Sequence, residues 1–192
     1  MKIIGIAASP RKEGNTAWAI NKILEGANEH GAETQAWRFC DLDIKPCSGC
    51  LSCVHGGGCV IADDMQNIYS SLKQANALVL GSPVYMGQMS AQAKIFTDRL
   101  FAQITPRFSP TFKEENAGKK LVLVFTQGNP DANMFQAYFD YTKKIFQLLE
   151  FDVTGVHVIA GTRTDPAHEQ KDLFAAMKNI GAALVSKIFG GD

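Results

Sequence analysis

Five short stretches of the chain are dense in β-branched and aliphatic residues: 2–8, 34–39, 77–81, 120–126 and 153–160. Three of them, "KIIGIAA", "ALVLG" and "KLVLVFT", are nearly unbroken apolar runs, the pattern of strands covered on both faces. "TQAWRF" and "VTGVHVIA" mix polar with apolar positions and read as edge strands. Between these runs the apolar residues recur in three- and four-residue steps. Ala17, Ile20, Leu24 and Ala27 share one helical face, as do Phe135, Tyr138, Thr142, Ile145 and Leu149. Leu173, Met177, Ile180, Leu184 and Ile188 form a third such stripe. Segments 63–75 and 91–104 complete the helices, opening at the capping residues Asp63 and Ser90.

Alternating strands and helices imply an α/β fold, with a parallel sheet wrapped by helices on both faces and right-handed crossovers. Five strands suit the doubly wound order 2-1-3-4-5 of a flavodoxin-like domain. The pattern shows no repeat and no second domain, so residues 1–192 read as one unit. The segment 45–62 is an insertion after the second strand.

The length suits one sizeable core, and the composition is that of an ordinary globular protein, 46% apolar and 20% charged. Nineteen basic residues balance nineteen acidic ones. That neutrality gives no footprint for nucleic acid and none for a strongly acidic electron shuttle. The apolar run Ile3–Ala8 is too short for a secretory leader, and no stretch approaches the roughly 20 apolar residues that span a bilayer. The expected location is the cytoplasm, away from membranes, where thiols stay reduced.

Ligands of open α/β sheets lie beyond the carboxyl ends of the strands. The first such loop, "ASPRKEGNTAWAI", is neither a dinucleotide fingerprint nor a Walker loop. It offers the hydroxyls of Ser9 and Thr16, the Asn15 amide, the Arg11 guanidinium and a helix N-terminus, a set suited to a monophosphate. The plainer reading is an Asn15 cap and a solvated Arg11. The third loop, "GSPVYMGQMSAQAK", offers Pro83, Val84, Tyr85, Met86 and Gly87. Tyr85 and Met86 present a flat, polarisable surface beside backbone amides, which suits an isoalloxazine ring; the alternative is an aromatic packed on the core. The fourth loop holds Thr126, Gln127, Gly128 and Asn129, either closing over a flavin edge or forming a plain turn.

Together "GIAASPRKEGNT", "LGSPVYMGQMSAQAKIFTDRL" and "PCSGCLSCVHGGGCVIADDM" resemble the flavodoxin-like NADPH-dependent FMN reductase family, over about residues 2–130. The resemblance implies that Ser9, Arg11, Asn15 and Thr16 hold the FMN phosphate. It implies that Pro83, Val84, Tyr85, Met86 and Gly87 lie against the ring.

Four of the five cysteines, Cys47, Cys50, Cys53 and Cys59, follow the spacing C-x2-C-x2-C-x5-C. Alone, this admits a four-thiolate metal site, a redox disulfide or a reduced thiol loop. Zinc ligands are more often split into two separated pairs, and a redox pair leaves two cysteines unexplained. The loop is most similar to that of the iron–sulfur flavoproteins, which implies a [4Fe–4S] cluster on all four. The chemistry agrees, since a cubane takes four converging thiolates. Two-residue gaps aim three sulfurs inward, and Gly49 and the stretch His55–Gly58 allow the turns. Cys40 reads as a buried small side chain.

No histidine has a nucleophile partner in sequence, so the cofactors are expected to carry the chemistry. The resemblance implies ferredoxin or NAD(P)H as donor, a small-molecule acceptor, and a homodimer or homotetramer. Two other functions stay open: an NAD(P)H-dependent FMN or quinone reductase without a cluster, and a non-enzymatic zinc-binding or regulatory module.

Overall fold

The computed structural model describes residues 1–55, 58–103 and 116–189. Five parallel strands build the sheet: β1 (Lys2–Ala7), β2 (Glu33–Arg38), β3 (Ala77–Tyr85), β5 (Lys120–Thr126) and β6 (Asp152–Ile159). They lie in the order β2-β1-β3-β5-β6, which is the predicted doubly wound, flavodoxin-like order. The two strands of mixed polarity, β2 and β6, are the edges. A two-residue strand not foreseen from sequence, β4 (Gln88–Met89), folds back antiparallel on the end of β3.

The unbroken apolar runs have a simple cause. Alternate residues of each central strand feed opposite cores. Ile4, Ile6, Leu78, Leu80, Leu121 and Leu123 face one side, under helices α2 (Met65–Gln74), α3 (Ala91–Arg99) and α4 (Gln136–Leu148). Ile3, Val79, Val122 and Val124 face the other, under α1 (Asn15–Glu29) and α5 (Leu173–Phe189).

Several expectations shift. Strand β3 runs four residues past Gly81 and includes Pro83. Pro83 is tolerated there because β1 has already ended at Ala7, paired with Gly81, and β4 pairs only from Val84, so at Pro83 itself only β5 lies alongside. Helix α3 stops at Arg99 and continues to Gln103 as a 3₁₀ turn; Ile104 lies outside the described residues. On α4 the fully buried residues are Phe139 and Phe146 beside Thr142. Phe135, Tyr138 and Ile145 are only partly buried, so the true face is rotated from the predicted stripe. The Ile188 side chain of the α5 stripe lies outside the described residues. Cys40 is half-buried on a 3₁₀ turn rather than enclosed in a strand. Among the described residues no helix is long and apolar enough to cross a membrane.

Helices α1 and α5 cross in backbone contact. A Cβ on Gly26 would collide with the Lys178 carbonyl, and one on Gly181 with the Ile23 carbonyl. This crossing fixes α1 against the sheet and so sets where its N-terminus points. Gly181→Ala should lower stability by about 3 kcal/mol, since rigid backbone on both sides gives no room to relax. The check is urea unfolding, with a lower midpoint at unchanged slope.

Candidate functional site

The loops after β1, β3, β5 and β6 enclose a cavity of about 1000 Å³, open mouth included. Ser9, Arg11, Asn15, Thr16, Pro83, Val84, Tyr85, Thr126 and Gly128 line it, from three loops far apart in sequence. Gly14, and not Asn15, takes the cap position of α1, and no side chain caps that helix. The Asn15 amide oxygen instead accepts a bond from the Ala167 N–H at 2.9 Å. The first-turn N–H groups of α1 therefore face the cavity without a side-chain acceptor, next to Arg11. Thr16 and Thr126 join their buried hydroxyls at 2.8 Å, tying the helix start to the end of β5. Ser9 is buried, and its hydroxyl oxygen accepts from the Arg11 N–H at 3.2 Å, leaving its proton free to point outward.

Met86 and Gly87 do not line this cavity. They are the two central residues of the β3–β4 hairpin, with φ of 49° and 78°, as a two-residue turn of this hand requires. Met86 is 100% exposed at the tip. Ser90 caps α3 as predicted, accepting from the Ala93 N–H at 3.2 Å, and its hydroxyl donates to the Ala8 carbonyl at 2.6 Å. That bond binds the third loop to the first.

Sequence reasoning missed Thr162 and Arg163, which also line the cavity. The loop after β5 is knitted to theirs, with Thr162 N–H donating to the Gln127 carbonyl at 3.0 Å and Gly161 N–H to that of Asn129 at 2.8 Å. The available signal was position, since "GTRT" follows the last strand at the same end of the sheet. Arg11 and Arg163 form no ion pair with any described residue, so two guanidiniums stand free at the mouth.

Cys47, Cys50, Cys53 and Cys59 line a second, smaller cavity of about 390 Å³ with Leu51, Val60, Phe101 and Arg99. Gly49 and Gly58 take positive φ, 67° and 72°; Gly56 and Gly57 lie outside the described residues. Hydrogen bonds from Ser52 and then Ser48 hold the Cys50 thiol below its ordinary pKa. Burial, with the charges of the other three cysteines adding to it, pushes Cys53 up. Among the described residues no three potential ligands sit in a metal-holding arrangement. In number and kind, four thiols on one cavity wall still fit a four-thiolate group.

The neck of this loop is clamped shut. Asp64 N–H donates to the Asp43 carbonyl at 3.1 Å, and Asp43 N–H to the Asp64 carboxylate at 2.8 Å. The Asp63 carboxylate accepts from the N–H of Lys45 at 2.9 Å and of Met65 at 3.1 Å. Arg99 completes the clamp, donating to the Lys45 carbonyl at 2.8 Å and to both Asp63 oxygens at 2.7 and 3.1 Å. Burial works against the Asp63 charge, but these bonds outweigh it and hold its pKa below the ordinary 3.8. Gln66 braces the last limb through the carbonyls of Cys59 and Ile61, at 2.9 and 2.8 Å.

Residues 1–165 match the NADPH-dependent FMN reductase family. The chain belongs to that family. Curated relatives include an iron–sulfur flavoprotein of Methanocaldococcus jannaschii, 44% identical over 52% of this chain and 51% of the relative. Another, of Methanosarcina thermophila, is 41% identical over 52% of each chain. The aligned region thus spans about half the length of these relatives. In fold, the chain is similar to an NAD(P)H:quinone oxidoreductase from Methanothermobacter marburgensis, with a TM-score of 0.74, 14% identity and 96% of each chain covered. The FMN reductase match spans the first cavity up to Arg163 and the whole cysteine loop.

Asp63→Asn leaves the Arg99 charge buried without its counter-ion and should cost about 3–5 kcal/mol of stability, read by urea unfolding. The sign of the pH effect follows from the depressed Asp63 pKa. Its contribution is complete above pH 3.8 and is lost as pH falls through the lower folded-state value. Wild type and Asp63→Asn should therefore converge in stability below that pH.

Proposed function

We propose that the chain is an iron–sulfur flavoprotein, a flavin-dependent oxidoreductase that binds FMN in the first cavity and a [4Fe–4S] cluster in the second. One observation carries this reading: two cavities of complementary chemistry on one fold. Nine residues expected to contact FMN line the first, and all four cysteines line the second. The names of the curated relatives support it.

FMN supplies both hydride and single-electron chemistry. The chain's own residues would seat it. The α1 N-terminus, Ser9, Thr16 and Arg11 would take the phosphate, with Arg163 as a second cation. Val84 and Tyr85 would lie along the ring, with Thr126 and Gly128 at its far edge. Pro83 has no N–H to offer, and its carbonyl accepts from the Ser82 hydroxyl at 2.9 Å. Cys47, Cys50, Cys53 and Cys59 would ligate the cluster through their thiolates. Electrons would pass between ferredoxin or NAD(P)H and a small acceptor, in a cytoplasmic homodimer or homotetramer. Residues 1–192 would act as one flavodoxin-like unit, without nucleic acid or membrane as partner.

A second reading, an NAD(P)H-dependent FMN or quinone reductase with a plain thiol loop, is favoured by the absence of converged ligands among the described residues. Anaerobic iron–sulfide reconstitution separates the two, with iron, zinc and FMN counted per chain beside visible and EPR spectra. The expected result is one FMN and four irons in wild type, with Cys59→Ser losing iron and keeping flavin. Rapid hydride transfer from NAD(P)H in an FMN-loaded, iron-free wild type would replace this reading with the second. One zinc and no flavin would replace it with a binding module.

The phosphate assignment has its own test. Arg11→Ala and Arg163→Ala should each weaken FMN binding about tenfold, roughly 1.4 kcal/mol for one exposed charge-assisted contact. The decline should be smaller for riboflavin, which lacks the phosphate. Fluorescence titration of the apoprotein reads both.

A further inference from the structure

We infer that Arg99 is a positioning residue for the cysteine site. Its Nε–H is the donor to the Cys59 sulfur, or to a sulfide held beside it, and makes that centre easier to reduce. The inference rests on the cluster reading above and adds a residue to it.

The guanidinium has three nitrogens, and the structure accounts for two. Nη1 donates to the Lys45 carbonyl and to Asp63 Oδ2, and Nη2 to Asp63 Oδ1. Nε is buried and has no hydrogen-bond partner. The whole side chain is 0% exposed, so water does not satisfy that N–H. A buried N–H without an acceptor is costly and calls for an explanation. Arg99 lines the same cavity as the four cysteines; beyond burial itself, Asp63 and then Tyr69 act most on its guanidinium, with the charge of Cys59 after them. The orphan donor and the thiol-lined cavity thus meet at one residue.

The rest of the pocket fixes Arg99 in place. Tyr69 donates its hydroxyl to the Arg99 carbonyl at 2.7 Å, anchoring the end of α3 to α2. The fork onto Asp63 holds the guanidinium plane. Asp63 also offsets the charge, so what the cavity meets is chiefly an oriented N–H dipole. One-electron reduction adds one negative charge to an iron–sulfur centre. An N–H aimed at its sulfur favours the reduced form and raises the potential.

The test uses the full chain, reconstituted anaerobically, with iron counted and the cluster potential read by EPR-monitored titration with dithionite. Arg99→Lys keeps the charge and loses the Nε donor. Asp63→Asn with Arg99→Gln removes donor and counter-ion together, at unchanged net charge. Both should load four irons. In both, the reduced-to-oxidised ratio at fixed potential should fall at least tenfold, a shift of about −59 mV for one electron. A clamp without this role would leave the potential unmoved, and equal potentials in fully loaded variants overturn the inference. A wild-type measurement covers variants that fail to fold. With ¹⁵Nε-labelled arginine, the reduced cluster should show a ¹⁵N hyperfine coupling, and its absence in loaded protein also overturns the inference. Wild type that takes up no iron overturns the cluster reading instead.

Discussion

The cysteine loop hangs on one buried ion pair. Arg99 and Asp63 have fully enclosed side chains, and desolvating both charges is expensive unless each is well bonded. Here both are. Asp63 takes two arms of Arg99 and two backbone N–H groups, and Arg99 also holds the Lys45 carbonyl. The pair therefore joins three things at once: the end of α3, the first turn of α2, and the two strands of the loop's neck. The cost of burial is offset only in this one arrangement, so the pair specifies where the loop leaves and rejoins the fold.

A second constraint acts at the sheet. Parallel strands put all their carboxyl ends on one side, and the loops there must share that space. The hydroxyl bond between Thr16 and Thr126 and the bond from Ser90 to the Ala8 carbonyl convert that crowding into fixed walls. The α1 N-terminus is aimed there because its other end is locked by the backbone contact with α5. The first cavity is thus framed by buried, mutually bonded groups, while its cations stay at the exposed mouth.

What could be read from sequence follows from range. Strand runs such as "KIIGIAA" and "KLVLVFT" are local patterns with one cause, burial on both faces, and they appear where expected. Strand order does not follow from that pattern; it came from the strand count and the loop motifs, and the mixed polarity of β2 and β6 suits only their places at the edges. The grouping of Ser9, Arg11, Asn15 and Thr16 on one cavity was legible because they lie close together in one short stretch of chain. Met86 was expected beside Tyr85; the hairpin takes positive φ there and leaves its side chain exposed at the tip, a placement set by the turn and not by side-chain type. The α4 stripe was misread because Thr142 belongs to two overlapping faces, and Phe139 and Phe146 win by volume.

Arg99 was illegible for a deeper reason. In "AQAKIFTDRL" an arginine after an aspartate reads as one more exposed charge on an amphipathic helix. Nothing local says that its partner is Asp63, thirty-six residues away, or that the helix ends there. The same holds for Asp63, which reads as a helix cap, and for Asp64 beside it. As a side-chain cap, Asp63 accepts only from the Met65 N–H; the other bonds of both carboxylates go to residues 43, 45 and 99. A buried charge network is invisible to periodicity because its members are few, far apart and individually ordinary. Its function follows from the same property. A loop whose neck is held by distant elements is free to spend its own residues, cysteines and glycines alike, on what it encloses rather than on its own closure.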